Sequence, residues 1–449
     1  MKTPSKFLAI LAIAALAMGG CKKFNQTKVY TANTPVYMSY DDLRESVAND
    51  DSRALLKPGK IFLYDQYILI NDFETGVHVY DNSNPSNPQH VAFVNIPGNV
   101  DIAVKDNTLF VDSYIDLVAI DISDPKNVRE VGRNQDVFSY TVPSTMNYNY
   151  PVAQVDQTKG VIVGYEVKEI EESCKNDDCG YMYQDAVAVQ YGDWDGYWMS
   201  EEGTVVSFGG NSNNVRSVSQ SNTSGALAGS MARFILVGQY LYAISDGSTI
   251  KVFDISSSQM PEVASFNPLS DGGNIGNIET IFSLNDNLFI GSTTGVLIYD
   301  ISSGSNPTYV STYTHLTGCD PVVANENHAF LTLRSGSQCG TQDIDMVEVL
   351  DISNIQSPYS VATYNMTEPK GLSLDNGSNV LFVCDGSAGM KVFDISDATQ
   401  LREIGSASGE TYDVIAHRNV AHVISNNGLV QYSYDQNGVM TELSRIDLN

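Results

Sequence analysis

Residues Gly76 to Ile96 read GVHVYDNSNPSNPQHVAFVNI. Val77 and Val79 alternate with His78 and Tyr80, a run dense in Asn, Ser and Pro follows Asp81, and a second apolar run opens at Val91. Period-2 alternation on either side of turn-forming residues is the mark of paired antiparallel strands. The stretch is either a solitary hairpin with a polar tip that binds something, or one copy of a unit that builds the whole protein.

The rest of the chain decides for the repeat. DLVAIDISDPKNVREVG (Asp116–Gly132), TIKVFDISSSQMPEVASF (Thr249–Phe266) and GVLIYDISSGSNPTYVSTY (Gly295–Tyr313) follow the same plan. So do MVEVLDISNIQSPYSVATY (Met346–Tyr364), GMKVFDISDATQLREIG (Gly389–Gly405) and a degenerate GLVQYSYDQNGVMTELSRI (Gly428–Ile446). Upstream of these copies stand tighter hairpins, among them DIAVKDNTLFVDS (Asp101–Ser113) and VIAHRNVAHVISN (Val414–Asn426). The unit therefore has four strands, a to d, and no long helical pattern follows the N-terminal segment.

The turn aspartates give the period. Asp81 to Asp121 is 40 residues, Asp351 to Asp394 is 43 and Asp394 to Asp435 is 41. Four-stranded units of that length are the signature of a β-propeller blade. Asp121 to Asp254 spans 133 residues, which calls for a further blade. VAQVDQTKGVIVGYEV (Val152–Val167) supplies an a–b hairpin, and GTVVSFGGNSNNVRSVS (Gly203–Ser219) matches the c–d pattern weakly, with Gly209 in place of the Asp. That reading splits the third blade by an insertion at 168–202 and predicts eight blades; if 203–219 is only loop, the alternative is a closed ring of seven.

The strings VHVYD, LVAIDIS, LIYDIS and VEVLDIS resemble the LVIVD repeat of bacterial extracytoplasmic proteins. PVYMSYDDLRESV (Pro35–Val47) and the stretch Gly98–Pro125 resemble LVIVD-repeat lipoproteins more closely, and the resemblance covers nearly all of 35–449. It implies a propeller and export, and it brings no catalytic residues.

The repeated Asp81, Asp121, Asp254, Asp300, Asp351 and Asp394 are read as structural turn residues. A carboxylate before Ser accepts backbone N–H groups of its own turn. In a propeller the a–b and c–d turns lie on one face, and the b–c and d–a loops surround the channel mouth on the other. The mouth face would carry the insertion, and with it Tyr181, Tyr183, Tyr191, Asp193, Trp194, Asp195, Tyr197 and Trp198 as ligand-binding candidates. Flat apolar rings beside carboxylates suit a sugar or peptide platform; the alternative is that they pin a long loop onto the blades. DWDGY (Asp193–Tyr197) resembles the opening of a calcium loop without its remaining oxygen ligands, so no cofactor is expected and calcium is the alternative. Asp72, Asp112, Asp246 and Asp385, at the ends of strands b, would form an acidic rim or simply end their strands.

The N-terminus, MKTPSKFLAILAIAALAMGGC, has a basic start, an apolar run too short to span a bilayer comfortably, and small residues before Cys21. This resembles a bacterial lipoprotein signal, implying cleavage of 1–20, acylation of Cys21 (palmitate among the chains) and a membrane anchor. Residues 21–59 are then a tether and lead-in, and 60–449 the propeller. The expected place is the cell envelope, as an outer-membrane lipoprotein, and CKKFNQTK does not decide which side it faces. Export permits disulfides: Cys174 with Cys179, and Cys319 with Cys339, are the candidates, while Cys384 lies in an apolar run.

A net charge of −28 repels phosphate backbones and makes nucleic acid an unsuitable partner. No H-E-x-x-H, G-x-S-x-G or Walker-type sequence occurs. The expected function is a non-catalytic glycan-, ligand- or protein-binding module. The alternatives are a polysaccharide hydrolase or lyase using mouth carboxylates, and a scaffold of an envelope complex.

Overall fold

The computed structural model describes residues 25–50, 53–145, 147–175, 226–228, 231–272, 276–316, 318, 321–335, 344–375 and 377–448. Its strands assemble into seven antiparallel four-stranded blades. Blade 1 has strands Pro58–Tyr64, Tyr67–Asp72, Gly76–Asp81 and Gln89–Asn95; blade 2 has Ile102–Lys105, Thr108–Ser113, Asp116–Asp121 and Arg129–Asn134. Blades 3 and 4 begin at Phe234 and Ile278, and blades 5, 6 and 7 at Val322, Leu372 and Thr411. The seven strands a stand side by side around the axis, and strands b, c and d follow outward in chain order.

Strands b and c are buried on both faces because each blade is sandwiched between two others. Tyr67–Asp72 and Gly76–Asp81 are almost wholly buried, whereas Gln89–Asn95 faces solvent at its outer end. Each c–d pair carries a register shift one to two residues before the turn, between Val79 and Tyr80 in blade 1 and between Gln431 and Tyr432 in blade 7. Such a bulge sharpens strand twist, which suits the outer edge of a propeller blade. The Asp-Ile-Ser turn now has a division of labour. The Asp fixes the turn, and the Ile (Ile122, Ile301, Ile352, Ile395) is buried in the seam against the preceding blade.

The expectation of eight blades is corrected to seven. Val161–Lys175 is a strand, but it pairs with Asn25–Met38 to make a separate two-stranded ribbon. Residues Gln157–Lys159 form a single 3-10 turn capped by Asp156, so no a–b hairpin exists there. Alternation identifies a strand and says nothing of its partner. The run EVKEIEE also carries more charge than a strand buried on both faces tolerates. The insertion therefore belongs to the connection between strand d of blade 2 and strand a of blade 3, residues 135–233, rather than to a b–c loop. In blade 7 the register position of the turn Asp is held by Ser433, and Asp435 caps a turn of its own.

Blade 1 is enlarged at both edges. Ala48–Asp50 adds outside strand d, and Ala226–Ala228 pairs with Phe62–Tyr64 on the axial side of strand a. Each four-stranded blade is one contiguous segment, and among the described residues no strand pairing joins blade 7 to blade 1. Leu63, Ile68, Ile415 and Ile424 supply the apolar part of this closure, and the amides of Asn82 and Gln431 exchange two hydrogen bonds of 2.9 and 2.8 Å.

Candidate binding face

Strands a start, and strands b end, at the mouth of the channel. In blades 1, 2 and 3 the residue before the first apolar position of strand a is Lys60, Asp101 and Arg233 in turn. Asp101 draws them together. One carboxylate oxygen pairs with Lys60 Nζ. The other accepts the backbone N–H groups of Arg233 at 2.5 Å and Phe234 at 3.1 Å.

The aspartates ending strands b hold the loops that arrive beside them. Asp72 accepts the N–H of Lys57 at 2.7 Å. Asp112 accepts the N–H groups of Val100 and Asp101, both at 2.8 Å, and a side-chain bond from Asn99. Asp385 accepts from Thr367 and Glu368 at 2.8 Å and pairs with Lys391 at 2.7 Å. Asp246 closes its own b–c turn on Ser248. At the start of strand c in blade 2, buried Asp116 binds Arg44 at 3.0 Å and Arg133 at 3.1 Å, tying the lead-in helix Tyr40–Arg44 to the disk.

Two mouth carboxyls are displaced from the ordinary range. Burial raises Glu74, helped by the charge of Asp112 and opposed by Lys57. Burial also raises Asp112, against its hydrogen bonds from Asp101 and Val100. On the other side of the mouth, burial lowers Lys370, whose ammonium lies 3.1 Å from Glu368 and 4.6 Å from the centre of the Tyr412 ring. Local spacing does not announce these groups, because Glu74 lies in the b–c turn of blade 1, Asp112 near the end of strand b of blade 2, and Glu368 with Lys370 in the loop entering blade 6 beside Tyr412 of blade 7.

The six turn aspartates lie on the opposite face. Asp81, Asp121, Asp254, Asp300, Asp351 and Asp394 each accept the N–H of the serine two positions on, at 2.8–3.0 Å. Hydrogen bonds from that serine hold each carboxyl below the usual range, and Asp394, which also binds Arg402, falls to about 2. Tyr181, Tyr183, Tyr191, Asp193, Trp194, Asp195, Tyr197 and Trp198 lie outside the described residues, as do Cys21, Cys179, Cys319 and Cys339. Cys174 pairs in register with Gln26 in the ribbon. Cys384 is a buried free thiol, and burial raises its pKa. Among the described residues no group of three or more His, Cys, Asp or Glu could hold a metal ion.

Comparison with known proteins places the LVIVD repeat on residues 58–95, 98–136 and 378–409. These segments are blade 1, blade 2 and the outer part of blade 6. No curated protein matches the chain. Among solved structures, a protein from Lactobacillus plantarum is 11% identical with a TM-score of 0.49, covering 87% of this chain and 96% of that one. The periplasmic gluconolactonase of Pseudomonas aeruginosa is 12% identical at 0.46, with the same coverages of 87% and 96%. BamB from Moraxella catarrhalis is 10% identical at 0.42, covering 88% and 99%.

Proposed function

We propose that this LVIVD-repeat propeller is a non-catalytic binding module of the cell envelope, lipid-anchored through Cys21, that offers its mouth face to a glycan or protein. The observation that carries the reading is the use made of the buried mouth carboxylates. Asp101, Asp112, Asp116 and Asp385 are each bound to backbone N–H groups, to cations or to both. A carboxylate so engaged is a fastener for loops rather than a free acid or base.

The fasteners support a rigid rim from which the connection 135–233 departs. A glycan and protein pull-down with the intact chain and with a deletion of 174–200 tests the reading. Loss of the captured partner in the deletion supports it; equal capture by both chains removes the insertion as the site. Glu74, raised by burial and not among these fasteners, favours the polysaccharide-cleaving alternative. That reading requires turnover of a glycan by the wild type and its loss in Glu74→Gln.

A further inference from the structure

The seam between blades 7 and 1 departs from the rule that builds the others. In every blade the third residue of strand b faces a residue of strand c across the ladder, and the pair packs towards the next blade. The pair is apolar in six blades, from Leu69 and Val79 in blade 1 to Phe382 and Val392 in blade 6. In blade 7 it is His422 and Gln431, both buried.

The position that meets this pair from the next blade is the residue after the turn Asp. It is Ile in blades 2 to 6 and Tyr434 in blade 7, where its ring packs 4.7 Å from that of Phe382. In blade 1 it is Asn82, within the stretch Gly76–Ile96. Three positions that are apolar elsewhere have thus become polar together, at one seam.

The result is a cleft of about 560 Å³ on the turn face, lined in part by Gln66, Tyr67, Asn82, His417, Arg418 and His422. Burying polar groups is unfavourable unless they gain partners, and a seam of Phe, Val and Ile was available to this fold. The amides of Asn82 and Gln431 satisfy each other. His422 meets the Gln431 side chain, but its buried Nδ1 has no hydrogen-bond partner among the described residues.

We propose that this cleft is a binding site for a small neutral polyhydroxylated molecule, of the size of a mono- or disaccharide. The volume lies in the range of small-molecule sites. The lining carries one carboxylate, Asp65, and one guanidinium, Arg418, so it favours neither an anion nor a cation. His417 and His422 are held towards the neutral form by burial. Amides and neutral imidazoles donate to and accept from hydroxyls in both directions, and the face of Tyr67 offers an apolar surface to a sugar ring. The site lies on the face opposite the channel mouth and is independent of the insertion.

The test is calorimetric titration of the purified chain with glucose, galactose, N-acetylglucosamine, maltose and chitobiose, with inorganic phosphate and zinc as contrasting probes. At least one sugar binds the wild type, and Asn82→Ile/His422→Phe/Gln431→Val, which restores the apolar seam, weakens it at least tenfold while melting no lower than the wild type. Arg418→Ala, in an exposed turn, weakens the same sugar without altering the fold and serves if the triple variant is misfolded. The deletion of 174–200 leaves the affinity unchanged. The proposal is overturned if no sugar of the panel binds, if phosphate or zinc binds in their place, or if Arg418→Ala and a folded triple variant bind as the wild type does.

Discussion

Lys60 of blade 1 and Asp101 of blade 2 form an ion pair with both side chains fully buried. Asp101 also carries two backbone N–H groups of the chain entering blade 3. Removing one partner of a buried pair leaves the other charge without compensation, at a cost of roughly 3–5 kcal/mol. Lys60→Met should lower the unfolding free energy by about that amount in urea denaturation. Asp101→Asn, which keeps an acceptor for the backbone groups, should cost less when placed in the Lys60→Met background than in the wild type. Equal costs in the two backgrounds would show that the pair is not coupled.

Gly76, at the start of strand c in blade 1, has φ +149°, and a Cβ there would stand 2.1 Å from the carbonyl oxygen of Val94. The obstacle is backbone of the neighbouring strand, which a side-chain rotation cannot clear. Gly76→Ala should therefore destabilise the fold by roughly 1–3 kcal/mol, seen as a lower Tm with an unchanged far-ultraviolet spectrum. Gly164 has open space around its α-carbon, so Gly164→Ala is the contrasting substitution and should leave Tm nearly unchanged.

His422 gives the fold a calculable acid sensitivity. Burial lowers its pKa to about 3, against about 6.5 in an unfolded chain. The unfolded state then binds a proton more readily below pH 6.5, so the stability linked to this group is full above that pH and is lost as pH falls towards 3. His422→Phe should remove this slope. Its stability relative to the wild type should rise between pH 7 and pH 4 by on the order of 2–3 kcal/mol, measured by denaturation at each pH. A pH-independent difference would show that His422 is not the titrating group.

The blades were legible because their signals are local. Asp81, Asp121 and Asp351 each sit at the end of a strand whose alternation is intact, and the spacing between turns carries the architecture. The ribbon was not legible as such, since Val161–Lys175 finds its partner more than a hundred residues upstream. The mouth was half legible. Asp112 and Asp385 could be placed at strand ends, but that they hold incoming loops depends on backbone N–H groups, which no side-chain pattern records. The seam was legible in principle: once the copies are aligned by register, His422 stands out in a column of Leu, Phe and Tyr. Asp435 obscured it by suggesting a turn two residues away from the true one.

Ring closure has one further consequence. A propeller sealed by a strand borrowed from the far end of the chain is fastened by a main-chain ladder, and opening it means unzipping a sheet. Here, among the described residues, the join between first and last blades is made by the Asn82–Gln431 amide exchange, a hydroxyl bond from Ser444 to the Pro85 carbonyl, and an apolar patch. The disk is a split washer: among the described residues no backbone ladder crosses its gap, so what holds the ring shut is side-chain packing and a few hydrogen bonds.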